Sequence, residues 1–244
     1  PVIMGILNVT PDSFSDGGRW LGHDTAIAHG RQLVRDGADL LDIGGESTRP
    51  GATRPPAAEE LRRILPVVAG LKGLVPLSVD TMRAEVAAAA VEAGATIIND
   101  VSGGLADPDM LGTVAALGTD YVCQHWRGHG ATMDDLASYD DVVSEVAAEL
   151  ELRVRAARQA GIASERIIVD PGFGFAKTAA QDWELLAHLS VFTRLDHRVL
   201  VGVSRKRFLG ELLGGRPAAE RDAATAAVSV LCAQQGVWAV RTHE

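Results

Sequence analysis

Polar and ionisable residues close each short apolar run of this chain. Asn8 follows Val2–Leu7, and Asp42 precedes Gly44-Gly45-Glu46-Ser47-Thr48-Arg49-Pro50-Gly51. Asp80 ends Ser78-Val79-Asp80, Asn99-Asp100 ends the fourth run and Gln124-His125 the fifth. Asp170 opens Asp170-Pro171-Gly172-Phe173-Gly174-Phe175, Ser204-Arg205-Lys206-Arg207 follows the seventh run, and Arg241 and His243 end the eighth. The set divides by charge. Asp80, Asn99 and Asp170, expected on non-adjacent strands, suit a flat heterocycle that offers amino and amide N–H donors, while Asn99 and Lys206 suit its ring nitrogens and carbonyl. Arg49, Arg205, Arg241 and His243 suit a phosphate or diphosphate at the rim. An acid floor beneath a basic rim would hold a neutral, donor-rich ring with an anionic tail. Taken singly, each Asp reads equally well as a cap and each Arg as a surface ion pair. Their recurrence at every run end argues for a polar pocket.

Something regular must position these residues. Strand-like runs at Val2–Leu7, Leu40–Ile43, Pro76–Val79, Thr96–Asn99, Tyr121–His125, Ile167–Val169, Val199–Val203 and Trp238–Arg241 alternate with longer amphipathic stretches. Thr25–Asp36, Ala57–Leu71, Ala84–Ala93, Tyr139–Ala160 and Asp222–Gln235 read as helices, with Leu61, Ile64, Leu65 and Val68 on one face of the second. Gly37, Gly94, Gly161 and Gly236 stand where helices end before the next strand. Strand and helix alternating eight times predicts an α/β fold with a parallel sheet, and the count favours a (β/α)₈ TIM barrel over an open sheet. The run after the first strand, Asn8-Val9-Thr10-Pro11-Asp12-Ser13-Phe14-Ser15-Asp16-Gly17-Gly18, is not the Gly-rich turn of a dinucleotide fold and reads as a loop that closes over a ligand. The chain stops at Glu244, directly after the eighth strand, so the eighth helix is expected to be absent from it.

With 244 residues, 47% of them hydrophobic, the chain can bury one core, and residues 1–244 read as a single barrel domain. The net charge of −9 argues against nucleic acid or an anionic membrane as partner. Cys123 and Cys232 fit no metal spacing and read as reduced thiols of a cytoplasmic protein. No run reaches transmembrane length, and the start Pro-Val-Ile-Met, which is no signal peptide, implies that a few leading residues are missing. The dispersed His23, His29, His129, His188 and His197 read as surface or helix-face residues.

Five segments carry a resemblance: Asn8–Gly18, Gly44–Gly51, Asn99-Asp-Val-Ser-Gly-Gly104, Asp170–Phe175 and Ser204-Arg-Lys-Arg-Phe208. In order and spread over the barrel, they resemble dihydropteroate synthase. The resemblance implies condensation of 6-hydroxymethyl-7,8-dihydropterin diphosphate with 4-aminobenzoate, giving 7,8-dihydropteroate and pyrophosphate. It implies a pterin site of Asp80, Asn99, Asp170 and Lys206, and a diphosphate site of Asn8, Thr48, Arg241 and His243, with Asn8 also reaching Mg²⁺. Phe14, Ser15, Phe175 and Lys206 would hold the aminobenzoate, and Lys206, Asp170, Asp16 and Arg49 would form the catalytic set. It further implies competition by sulfonamides, and a homodimer when the eighth helix is present.

The sequence departs from the family pattern at Gln124, where relatives commonly carry Met against the pterin ring. Relatives also usually end in Arg-Val-His-Asp, where this chain reads Arg241-Thr242-His243-Glu244. Two other readings stay open. One is a non-catalytic pterin-binding paralogue. The other is the pterin domain of a methyltetrahydrofolate–corrinoid methyltransferase, which would have no use for the Ser-Thr-Arg-Pro-Gly loop.

Overall fold

In a computed structural model, eight parallel strands close into a barrel in the order β1 to β8. The structure describes residues 1–10, 18–46, 54–129 and 132–244, without the side chains of residues 18–21. The strands are β1 (Val2–Asn8), β2 (Leu40–Gly44), β3 (Leu77–Asp80), β4 (Ile97–Asp100), β5 (Asp120–Gln124), β6 (Ile167–Asp170), β7 (Arg198–Val201) and β8 (Ala239–Thr242). Helices α1 (Gly18–Arg35), α2 (Ala57–Leu71), α3 (Ala84–Ala93), α4 (Met110–Leu117) and α5 (Val142–Gln159) separate the first six strands. Helices α6 (Ala179–Ala187) and α7 (Ser190–Thr193) precede β7, and α8 (Arg207–Leu212) and α9 (Asp222–Gln234) precede β8. This is the TIM barrel that the alternation predicts.

The helix faces explain the outer layer. On α2, Ile64, Val67, Val68 and Leu71 are fully buried. Leu61 and Leu65 pack at the margin of that stripe, so the buried face is turned slightly from the predicted one. Helix α5 begins at Val142 rather than Tyr139, because the Asp141 carboxylate accepts the Ser144 N–H and caps it there. Gly94 ends α3 at φ 130° and takes up two carbonyls of the last turn, as its position in the sequence predicts.

Inside the barrel, Met4, Leu40, Ile97, Val122, Ile168, Leu200 and Ala239 form a separate apolar cluster. Side chains alternate between the two faces of a strand, so the inward position two residues further on faces the barrel mouth. Those next positions are Ile6, Asp42, Asn99, Gln124, Asp170, Gly202 and Arg241. One step along the pleat therefore turns an apolar plug into a polar floor. Asp80 and Asn99 are direct register partners on the neighbouring strands β3 and β4, which corrects the expectation of non-adjacent strands.

Candidate active site

Arg241 joins the floor across the barrel closure. Its Nε donates to Asp42 Oδ2 at 2.6 Å, and its Nη2 to Asp80 Oδ2 at 3.0 Å. The same Asp42 oxygen accepts the Asn99 amide at 2.9 Å. Burial pushes the Asp80 carboxyl up from its ordinary value and Arg241 pulls it back. The neighbouring acids Asp42 and Asp80 keep the Arg241 guanidinium charged despite its burial.

Lys206 and Asp170 form the opposite wall. Burial lowers the Lys206 pKa to about 8, against the pull of Asp170 and Asp182. Its Nζ donates to the Phe173 carbonyl and lies 4.7 Å over the Phe175 ring, a cation–π contact. Burial also raises Asp170, opposed by Lys206 and by the Gly172 N–H, which donates to Asp170 Oδ1 at 2.7 Å. The chain turns at Gly172 with φ 71°, and a Cβ at that position would lie 2.4 Å from the His125 carbonyl oxygen. Only glycine lets the β6–α6 loop pass so close to β5.

Four floor residues keep a buried polar atom with no partner among the described residues: Asp42 Oδ1, Ser78 Oγ, Asn99 Oδ1 and Gln124 Nε2. Buried polar groups normally find hydrogen bonds. Two acceptors, a hydroxyl and an N–H donor lining one mouth are complementary to a heterocycle with mixed donors and acceptors.

At the rim, Asn8 ends β1 opposite Gly44. The bare Gly44 leaves a gap in which a Cβ would lie 3.9 Å from both Asn8 Oδ1 and Asp80 Oδ2. No cluster of three His, Cys, Asp or Glu able to hold a metal occurs among the described residues. The hard amide oxygen of Asn8 is of the chemistry that suits Mg²⁺, which keeps several waters and takes one or two protein oxygens together with substrate phosphates. His243 is placed by Ser204, whose Oγ lies 2.9 Å from His243 Nδ1 and accepts the His243 N–H at 3.2 Å. Arg205 does not serve the rim. Its guanidinium is clamped on Asp222 at 2.7 and 2.9 Å and reaches Glu244 at 2.9 Å, so its place is structural.

Phe14, Ser15, Asp16, Thr48 and Arg49 lie outside the described residues. Ion pairs and hydrogen bonds hold the stems of the second loop. Arg54 pairs with Glu46 at 2.6 Å, and the buried Glu60 of α2 accepts Thr81 Oγ1 at 2.6 Å and the Arg83 guanidinium. Arg83 also donates to the Pro55 carbonyl at 2.7 Å, tying α2, the β3 end and the loop stem together. Asp100, part of a quoted motif, faces away from the mouth and organises the loop after β4 by accepting Ser102, Gly104 and Tyr121.

Asp42 stands among the run-end residues of the sequence, but its partner Arg241 is not readable there. Lys177, which anchors the β6–α6 loop from behind, has no sequence signal, because its partners are His125, just after β5, and the carbonyls of Gly172 and Phe175.

Arg241, expected at the rim, thus lies in the floor on Asp42 and Asp80, and the family described as pterin binding enzyme matches residues 4–243 of this barrel. A dihydropteroate synthase of Mycobacterium leprae is 48% identical over 249 residues, covering 99% of this chain and 88% of the relative. The solved dihydropteroate synthase of Xanthomonas albilineans with 4-aminobenzoic acid superposes with a TM-score of 0.94 at 50% identity, over 100% of this chain and 88% of that one. A Yersinia pestis dihydropteroate synthase in a sulfonamide drug complex superposes at 0.93 with 41% identity, over 100% and 89%. The chain belongs to the dihydropteroate synthases, transferases of folate biosynthesis.

Proposed function

We propose that the mouth condenses 6-hydroxymethyl-7,8-dihydropterin diphosphate with 4-aminobenzoate through the residues described above. The observation that carries the residue roles is the pairing of unpartnered floor atoms with the Arg241–Asp42–Asp80 bridge directly above an apolar plug. The pterin ring would lie on Asp80, Asn99, Asp170 and Lys206, its donors facing the carboxylates and its acceptors facing Lys206 and the Asn99 amide. The diphosphate would face Asn8, Arg241 and His243. Phe175 and Lys206 would wall the aminobenzoate, with Phe14 and Ser15 from the first loop. Thr48, Arg49 and Asp16 would complete the rim from the two loops. Sulfonamides, which share the aminobenzoate shape, would compete at that wall.

Chemistry follows from this placement. The C–O bond between the pterin methylene and the diphosphate breaks, and its electron pair leaves on the diphosphate oxygen. The aminobenzoate nitrogen bonds to the methylene carbon and then releases a proton. Asn8 would hold Mg²⁺, whose chemistry when bound would be to supply positive charge to the leaving group. Arg241 and His243 stabilise the same developing charge from fixed positions. Asp170, at the edge of the ring, favours positive charge spreading into the dihydropterin. The aryl amine is neutral at pH 7, so no strong base is needed. Loop closure would exclude water from the ionised pterin.

The finer assignments follow the same logic. We read residues 1–244 as one pterin-binding domain. The unpaired buried thiols Cys123 and Cys232 agree with a cytoplasmic setting, and a homodimer is the expected assembly where the eighth helix is present. Calorimetric titration with the pterin diphosphate and Mg²⁺, with and without 4-aminobenzoate, tests the reading. Pterin-diphosphate binding that Lys206→Ala weakens supports it, and equal affinity in the two proteins would contradict it.

A further inference from the structure

Behind the site lies a buried chain of polar groups that the reaction itself does not use. Lys177, 1% exposed, donates to the carbonyls of Gly172 and Phe175, each at 2.9 Å, and its Nζ lies 3.0 Å from His125 Nδ1. His125, also 1% exposed, places Nε2 2.7 Å from Glu149 Oε2. Arg127 holds Glu149 from the other side and covers the Tyr139 ring at 3.8 Å.

The carboxylate end sets the protonation pattern. Glu149, held ionised by Arg127, lies 2.7 Å from His125 Nε2, so that nitrogen carries a proton and donates it to the carboxylate. On a neutral imidazole Nδ1 is then bare and accepts an N–H from Lys177, whose other hydrogens face the carbonyls of Gly172 and Phe175. A carboxylate behind an imidazole strengthens the far nitrogen as an acceptor.

The chain ends on the loop that carries the site. Lys177 takes the carbonyls of Gly172 and Phe175, and Lys206 takes that of Phe173 between them. The Gly174 N–H is held by Asp182 Oδ1 at 2.8 Å, and the Gly172 N–H by Asp170. The positions of Phe175, Lys206 and Asp170 therefore depend on where Lys177 holds the backbone.

We propose that Glu149, His125 and Lys177 form a positioning relay that sets the β6–α6 loop, and through it the Phe175–Lys206 wall on which aminobenzoate binds. The proposal rests on the reading of that wall given above. The relay touches no substrate and acts through the backbone carbonyls of Gly172 and Phe175.

The test uses the full chain labelled with ¹⁵N-histidine, together with steady-state kinetics of Lys177→Met, Phe175→Ala, their combination and Lys206→Ala. Expected are a neutral His125 protonated on Nε2 at pH 7 and a rise of about tenfold in the aminobenzoate KM of Lys177→Met, the scale on which a displaced binding wall is felt. Added to Phe175→Ala, the same change should cost much less, because the wall it acts through is already gone. A His125 protonated on Nδ1, or a folded Lys177→Met with unchanged aminobenzoate KM while Lys206→Ala weakens binding, overturns the relay. If Lys206→Ala also has no effect, the wall reading fails instead, and the relay's role in binding falls with it. Should Lys177→Met not fold, Glu149→Gln at the half-exposed outer end decides: a raised aminobenzoate KM supports the relay and an unchanged one overturns it.

Discussion

Arg241 on β8 and Asp42 on β2 meet at 2.6 Å although 199 positions separate them in the chain. Their contact spans the seam where the last strand closes on the first two, and it charges the floor at the point where the apolar plug ends. Removing one partner of a buried pair leaves the other charge uncompensated, which typically costs about 3–5 kcal/mol. Arg241 keeps 22% of its side chain exposed, so the lower end applies. Arg241→Ala should therefore lower the denaturant midpoint and abolish tight pterin-diphosphate binding together. A variant as stable as wild type would show that Asp42 and Asp80 do not depend on it.

Lys206 governs an alkaline limb. Its ammonium, lowered to about 8 by burial, is present below that pH and lost above it. Pterin-diphosphate affinity should be flat through neutrality and fall as pH rises past about 8. Lys206→Ala should weaken binding at least about tenfold, about 1.4 kcal/mol, with little change in melting temperature. A pH-independent affinity in the wild-type protein would remove Lys206 from the ring site.

His125 controls an acid limb of stability. Burial first, then the Lys177 charge, lowers its pKa from 6.5 to about 4, with Glu149 opposing. Between those two values the unfolded chain binds the proton and the folded one does not, so stability is fully present above pH 6.5 and is lost as pH falls towards 4. The shift is worth about 3 kcal/mol. Glu149, pulled down to about 2 chiefly by its His125 hydrogen bond, acts in the same sense below pH 4.5. Denaturation midpoints across pH 4–7.5 should show the advantage of wild type over His125→Gln shrinking with acidity. A constant difference would mean that the fold leaves the His125 pKa unshifted.

Gln124 leaves a buried N–H donor unpartnered on the floor. An unsatisfied buried donor costs about 1–3 kcal/mol, so Gln124→Met, which keeps the length and removes the amide, should raise the stability of the substrate-free protein. Equilibrium urea unfolding measures this directly. A lower midpoint in the variant would mean that Gln124 already satisfies its amide.

Much of this arrangement was legible in the sequence because local rules wrote it. Strand period, helix period and terminal glycines such as Gly94 gave the barrel. Alternation along each strand then put Asp80, Asn99, Asp170 and Arg241 in the mouth once the run ends were recognised. Pairing across the barrel was not legible. Nothing near Arg205 distinguishes it from Lys206, yet one is spent on Asp222 and the other lines the site. Lys177 is a single cation beside a loop, and its meaning comes from His125, 52 positions away. The place of Arg241 on Asp42 and Asp80 depends on closure of the sheet, which no window of neighbouring residues contains.

The most direct measurement is pyrophosphate release by the protein with Mg²⁺ and 6-hydroxymethyl-7,8-dihydropterin diphosphate, with and without 4-aminobenzoate. The account predicts release that depends on aminobenzoate, matched mole for mole by 7,8-dihydropteroate and suppressed by a sulfonamide. Tight pterin-diphosphate binding with no aminobenzoate-dependent release would contradict it and mark the mouth as a binding site that performs no transfer.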